Sequence, residues 1–335
     1  MNKEPLYSKL NAYLSKNRLK STKQRDAIVD TFFNLRDRHV RIDDRRLAID
    51  LYKQGSLDWT GCQAMIPVEE LEAQKDPSRP NGYKGADLQT YVIMANLYIT
   101  PNVTRKGFDD PRVRQALSLA IDRRAMVETV TRAGEVPMLN FIPPGMGYEV
   151  IPTDVAPNCP EAQRLMAEAG YPGGQGFPKY ELLFRTGTGM EPDIAPVVAS
   201  QWQQCLGIKV KLAGMPMELW RPKTTEHNFD ITFDGWQGDY PHPHTFAGLL
   251  AGKSSMNLSG YASTELDALL ERGMRAVDPA EFQAAYRNVE EVILRDMPEI
   301  NMWFRTWTFA LRPEWTGITP NVLNAYPLRY LRRAQ

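Results

Sequence analysis

A mixed α/β fold is what the 335-residue chain predicts, and three features predict it. Strand-like and helix-like stretches alternate along most of its length. Two long segments, DLQTYVIMANLYITP and EINMWFRTWTFALR, are rich in β-branched and aromatic residues, as buried strands are. Several helical stretches open on Asp or Ser, the residues that satisfy free N–H groups at a helix start. With 43% hydrophobic and 24% charged residues the composition is that of a globular protein with a core for about two domains. The apolar run Tyr91–Ile99 contains Asn96 and is far shorter than the ~20 residues of a membrane helix.

Residues 1–46 read as helices. Leu10, Tyr13 and Leu14 share one face, Ser21 or Thr22 caps a second helix carrying Ile28, Thr31 and Phe32, and Asp43 and Asp44 cap a third. LAIDLYKQGSLDWTG is a short helix ended by Gly55 and followed by a strand; PVEELEAQ is a helix leading into a turn-rich loop. The strand DLQTYVIMANLYITP comes next. In FDDPRVRQALSLAIDRRAMVETVTRAG, Asp110 is an N-cap with Pro111 at the first helical position. Val113, Ala116, Leu117, Ala120 and Ile121 form its apolar face, and Asp122 caps a second helix ending at Gly134. PEAQRLMAEAG is a helix terminated by Gly170, and the glycines of GYPGGQG follow it as a turn, not as a phosphate loop. YELLFRTG is a strand, EPDIAPVVASQWQQCLG an amphipathic helix and IKVKLAGM a strand with Ile208, Val210 and Leu212 alternating. STELDALLERGMRAV and PAEFQAAYRNVEEVILRD are helices separated by Asp278 and Pro279, before EINMWFRTWTFALR.

The stretch FDITFDGWQGDYPHPHTF, Phe229 to Phe246, breaks this regularity. Phe229, Ile231 and Phe233 alternate as a strand, which then runs into Trp236, Gln237, Gly238, Asp239, Tyr240 and two prolines. An aromatic, glycines and a carboxylate together read as the lined mouth of a pocket. Two plainer readings stand beside this one: Asp239 as the cap of a helix near His242, and Trp236 as core packing.

Charge is divided unevenly. Residues 1–46 hold 12 Lys+Arg against 6 Asp+Glu, a net of +6, which leaves −6 for the remainder. Cys62, Cys159 and Cys205 are odd in number and far apart, which argues against a disulfide framework and against a C-x-x-C zinc site. Cys205 shares a helical face with Ile194, Val197, Val198 and Trp202 and reads as a buried small hydrophobe. The amino terminus shows no uninterrupted apolar stretch of the secretory kind, so the chain as written reads as cytoplasmic. With four histidines and neither G-x-S-x-G nor H-E-x-x-H, no catalytic arrangement is expected. His242-Pro-His244 reads as a solvated turn in preference to a metal pair. No cofactor is expected.

Two resemblances extend this reading. LKSTKQRDAIVDTFF and HVRIDD closely resemble the start of the DNA-binding domain of ferric uptake regulators. The likeness ends near Asp44, before any recognition helix, so specific DNA binding is not expected. From about Leu47 to Arg332, the ordered series LYKQGSLDWTG, FDDPRVRQALSLAIDRRAMV, FIPPGMGY, EAQRLMAEAGYPGGQGFP, WQQCLGIKVKL, FDITFDGWQGDYPHPHTF, YASTELDALLERG and EINMWFR resembles extracytoplasmic solute-binding proteins of oligopeptide, dipeptide and nickel ABC importers. The resemblance implies a periplasmic-binding-protein-like clamshell that closes on its ligand and delivers it to a membrane permease. It implies that Asp239, after Trp236, holds a peptide's amino group, with Trp236, Gln237, Gly238 and Tyr240 around it, and that the glycines let backbone approach ligand. Met190, Thr224 and Phe233 stand where the family's oligopeptide members place cations for the peptide carboxylate. The expected organisation is a regulator-like fragment (1–46), a residual first-lobe segment (47–90), a nearly complete second lobe (91–296) and strands returning to a largely missing first lobe (297–335). Exposed apolar surface at Trp303, Phe304, Trp307 and Phe309, with self-association through it, is the further expectation. The other expectation is a chimera of a regulator fragment and a binding lobe with little transport function.

Overall fold

A computed structural model describes residues 45–61, 66, 88–187, 189–318, 321 and 330–334. The regulator-like helices, with their caps at Asp43 and Asp44, and the helix expected in PVEELEAQ lie outside the described residues. The chain divides into two compact units, Thr90–Trp307 with Gly317–Leu331, and Met1–Gln89 with Thr308–Thr316 and Arg332–Gln335. The boundaries fall inside two strands, β1 (Leu88–Pro101) and β6 (Ile300–Ala310).

In the smaller unit, α1 (Arg45–Lys53) buries Ile49 and Tyr52 with Leu57, Ile66 and Ala310. The strand expected after Gly55 is a single bridge between Trp59 and Leu311. Two short strands, β7 (Trp315–Thr316) and β8 (Arg332–Arg333), pair antiparallel.

The larger unit is built on a six-stranded sheet in the order β2-β6-β1-β5-β3-β4, where β2 is Val136–Pro137, β3 Tyr180–Arg185, β4 Val210–Met215 and β5 Ile231–Gln237. β5 runs antiparallel to β1 and parallel to β3, which is parallel to β4. Side chains alternate across a strand, so β1 and β5 each serve two cores. Leu97, Ile99, Ile231 and Phe233 face one core, formed with α2 (Pro111–Leu119), α4 (Cys159–Glu168) and α5 (Glu191–Leu206). Met94, Tyr98 and Trp236 face the other, covered by α7 (His244–Ala247), α8 (Thr264–Arg275), α9 (Pro279–Asp296) and the loop Phe141–Tyr148. A smaller cluster of Leu183, Trp220 and Phe229 lies under α6 (Met217–Thr225).

The caps behave locally as their chemistry requires. Asp110 accepts from the N–H of Arg112, Asp122 from Ala125, Ser263 from Leu266, and Asp278 from Ala280 and Glu281. The helix expected from Asp122 to Gly134 is α only over α3 (Arg123–Met126), then widens to a π-turn at Val127–Thr131 and closes with Arg132 left-handed at φ 53°. Among the described residues Arg123 is buried without a carboxylate partner; Ser118 O, Ser118 Oγ and Asn301 O accept its guanidinium protons, tying α3 to β6.

Two expectations are corrected. Trp303, Phe304 and Phe309 are each 0% exposed and Trp307 is half-buried, so the apolar surface expected there is not formed. Trp303 packs into the first core against the helices on that face, while β2 pairs with the backbone of Trp303 and Phe304. Cys159 and Cys205 form a disulfide, with Cα atoms 5.6 Å apart, joining the first turn of α4 to the last turn of α5. Their 46-residue separation hid a pair that the packing of two helices brings together. The strand expected in IKVKLAGM forms as β4, at the edge of the sheet, with Leu212 39% exposed and Ile208 buried just ahead of it. No helix among the described residues is long and apolar enough to cross a membrane.

Candidate functional site

β5 carries the site because its carboxyl end emerges beside that of its parallel neighbour β3, the edge at which open α/β sheets place ligands. Its antiparallel partner β1 sets the register: Asn96 lies opposite Trp236, and Tyr98 opposite Asp234. Asn96, fully buried, works in two directions. Its Nδ2 donates to Phe141 O at 2.9 Å, and its Oδ1 accepts from the Trp236 N–H at 3.2 Å. The one polar residue in the apolar run of β1 therefore fixes the strand end that bears the candidate residues. The Gly238 N–H extends the ladder by donating to Met94 O at 2.8 Å.

The glycines are needed by the fold itself. A Cβ on Gly235 would lie 2.8 Å from Asn96 O, and one on Gly238 would lie 2.8–2.9 Å from Thr245 Cγ2, Met94 Cγ and Phe246 Cε2. Close approach of protein to protein explains both positions, where the sequence suggested approach to a ligand.

Trp236 is half-buried against the second core, and its Nε1–H donates to Thr245 Oγ1 at 3.4 Å. Gln237, Asp239 and Tyr240 are exposed. The Asp239 backbone N–H donates to the same Thr245 hydroxyl at 3.2 Å. The Asp239 side chain does not cap α7, whose N-cap is Pro243 without a side-chain bond, and its carboxylate makes no hydrogen bond or ion pair among the described residues. The capping reading is thereby corrected: the carboxylate is exposed and unengaged on a backbone that is held.

Asp234 differs from it. Burial pushes its carboxyl up to about 6, opposed by the Gly235 N–H at 2.8 Å and by Arg185 at 4.0 Å. Arg185, at the end of β3, pairs with Glu191 at 2.5 Å and lies 4.9 Å from the Trp220 ring. It is a fixed cation the sequence reading missed, already compensated by Glu191. Of the three positions expected to replace cations, Phe233 is buried in the first core and Thr224 is buried with its hydroxyl donating to Trp220 O and Arg221 O. Met190 is half-buried at the start of α5.

His242 and His244 are half-buried, not solvated. The His242 ring lies 5.4 Å from both Phe282 and Tyr286, and its Nδ1 accepts from the His244 N–H at 3.1 Å. Burial lowers both imidazoles. Among the described residues no group of three or more His, Cys, Asp or Glu could hold a metal.

The sheet is mixed with helices on both faces, and among the described residues the Asp239 carboxylate stands unengaged just past the end of β5. The sequence profile of the bacterial extracellular solute-binding proteins, family 5 Middle, matches residues 39–257, and the chain belongs to that family. The match begins ahead of Leu47, within the segment read as regulator-like. The family is one of solute-binding proteins and not of enzymes. The chain is 26% identical over 275 residues to the periplasmic oligopeptide-binding protein OppA of Escherichia coli K12, covering 80% of this chain and 49% of OppA. It is 33% identical over 223 residues to the periplasmic murein peptide-binding protein MppA of the same organism, covering 64% and 40%. The unliganded open form of the murein tripeptide-binding protein MppA superposes with a TM-score of 0.77 at 27% identity, over 86% of this chain and 55% of that one. The chain spans about half the length of the curated relatives it matches.

Proposed function

We propose that this chain supplies ligand-binding surface to the extracytoplasmic component of an ABC importer, that its ligands are short peptides, and that Asp239 anchors their amino group. One observation carries the reading: the Asp239 carboxylate is exposed and unengaged among the described residues, while the backbone beneath it is fixed by Thr245 and by the β1–β5 ladder. A held carboxylate of this kind suits a charge-assisted bond to an ammonium group. Trp236, Gln237, Gly238 and Tyr240 surround that point. Of the two cations that act on Asp234, Arg185 is paired with Glu191 and Arg221 is exposed on α6, so the peptide's carboxylate is left without a fixed partner and length is not selected from that end. The partner is a membrane permease. Peptide-binding relatives support the ligand class, and the disulfide supports an oxidising, extracytoplasmic location.

Titration with an equimolar pool of tripeptides and tetrapeptides, followed by tryptophan fluorescence, tests the reading. Saturable binding is expected, weakened at least about 10-fold by Asp239→Ala or by N-acetylation of the pool, as loss of a hydrogen bond to a charged group implies. Binding that is indifferent to both changes refutes Asp239 as the anchor.

A further inference from the structure

We propose that Thr245 is the positioning residue of the ligand-binding loop, an inference that rests on the peptide-binding reading of Asp239. Thr245 is 6% exposed and cannot itself meet a ligand in quantity, yet it touches three of the five residues assigned to the site. Its Oγ1 accepts from the Asp239 N–H at 3.2 Å and from the Trp236 indole N–H at 3.4 Å. Its methyl fills the space a Gly238 side chain would take, 2.8 Å from an ideal Cβ there. A hydroxyl oxygen has two lone pairs, and here both have a donor. Main chain anchors the hydroxyl in turn: the Thr245 N–H donates to His242 O at 3.1 Å, and Thr245 is the second residue of α7, beside the buried Phe246.

The consequence is preorganisation. The anchor residue and the aromatic wall hang from one buried oxygen, so their spacing is set before a ligand arrives and less ordering is left to binding. Gln237 and Tyr240, which Thr245 does not bond, are exposed.

Two substitutions separate the hydroxyl from the methyl. Thr245→Val keeps the shape and removes the acceptor; Thr245→Ser keeps the acceptor and removes the methyl. In the ligand-free protein, amide exchange at Asp239 is expected to rise about 10-fold in Thr245→Val and to stay near wild type in Thr245→Ser, the scale of one lost hydrogen bond. With the same peptide pool, Thr245→Val is expected to weaken binding about 10-fold, and much less when Asp239 is already Ala, because two residues acting through one contact are not additive. Thr245→Ser is expected to restore most of the affinity. Unchanged amide exchange in Thr245→Val, or an equal loss on the wild-type and Asp239→Ala backgrounds, overturns the proposal. Wild-type protein that ignores the pool while Asp239 exchange still responds to Thr245→Val would sink the peptide reading and leave the positioning role standing.

Discussion

The Cys159–Cys205 bond closes a loop whose ends are 46 residues apart, encompassing β3 and nearly all of α5. Opening such a loop returns conformational freedom to the unfolded chain, and the chain-entropy relation puts the effect at about 4 kcal/mol for this length. The native contacts between the helices do not depend on the bond. Ala162, Leu165 and Met166 of α4 stay packed in one core with Trp202 and Leu206, and Gln163 Nε2 donates to Cys205 O at 2.8 Å. The expectation is therefore a Cys159→Ser/Cys205→Ser protein that folds but is less stable by about 2–4 kcal/mol. Urea unfolding at fixed pH reads this directly. With a slope near 3 kcal/mol per M, the midpoint falls by about 1 M, and a reducing agent lowers wild type to the same place. Thiol titration of the unfolded, unreduced protein should find one reactive cysteine of the three. Three reactive thiols, or a midpoint insensitive both to reductant and to the double substitution, would refute the reasoning.

Two other perturbations follow from buried groups. Glu290 is 0% exposed, and burial pushes its carboxyl up to about 7, although it accepts from the N–H groups of Phe141 and Ile142 and from the Tyr148 hydroxyl. The folded state thus holds this proton more tightly than the unfolded one. Its contribution is complete below about pH 4.5 and is lost as pH rises through 7, a change of roughly 3 kcal/mol. Denaturation curves at pH 5 and pH 8 should show this fall in wild type and a shallower one in Glu290→Gln; equal slopes in the two proteins would contradict the assignment. Gly238→Ala drives a methyl to within 3.0 Å of Thr245, Met94 and Phe246. A loss of about 1–3 kcal/mol in thermal or urea stability is expected, together with weaker peptide binding; a fully stable variant would mean the loop has room that its geometry denies.

Local chemistry made much of the fold legible before any tertiary contact was known. A cap bonds within three residues of itself, so Asp110, Asp122, Ser263 and Asp278 could be placed from sequence, as could Gly170 at a helix end with φ 92°. Alternation of apolar residues likewise pointed to β5, and runs rich in β-branched and aromatic residues to β1 and β6, as buried strands, and the ordered motifs pointed to the family. The site was legible only in outline. The exposed carboxylate at Asp239 and the aromatic at Trp236 announce themselves by residue type. Nothing in the local pattern, however, says that Asn96 bonds the Trp236 backbone from 140 residues away.

By itself the sequence determined most of the element types, the caps and the family, because each depends on neighbours along the chain or on an ordered series of short motifs. Tertiary structure alone decided the rest. It paired Cys159 with Cys205, buried Trp303 in the first core, filled the space beside Gly238, and set the Thr245 hydroxyl beneath Asp239. Each of these is a contact between separate elements, fixed by how the sheet and its helices pack and not by any period that one segment could show.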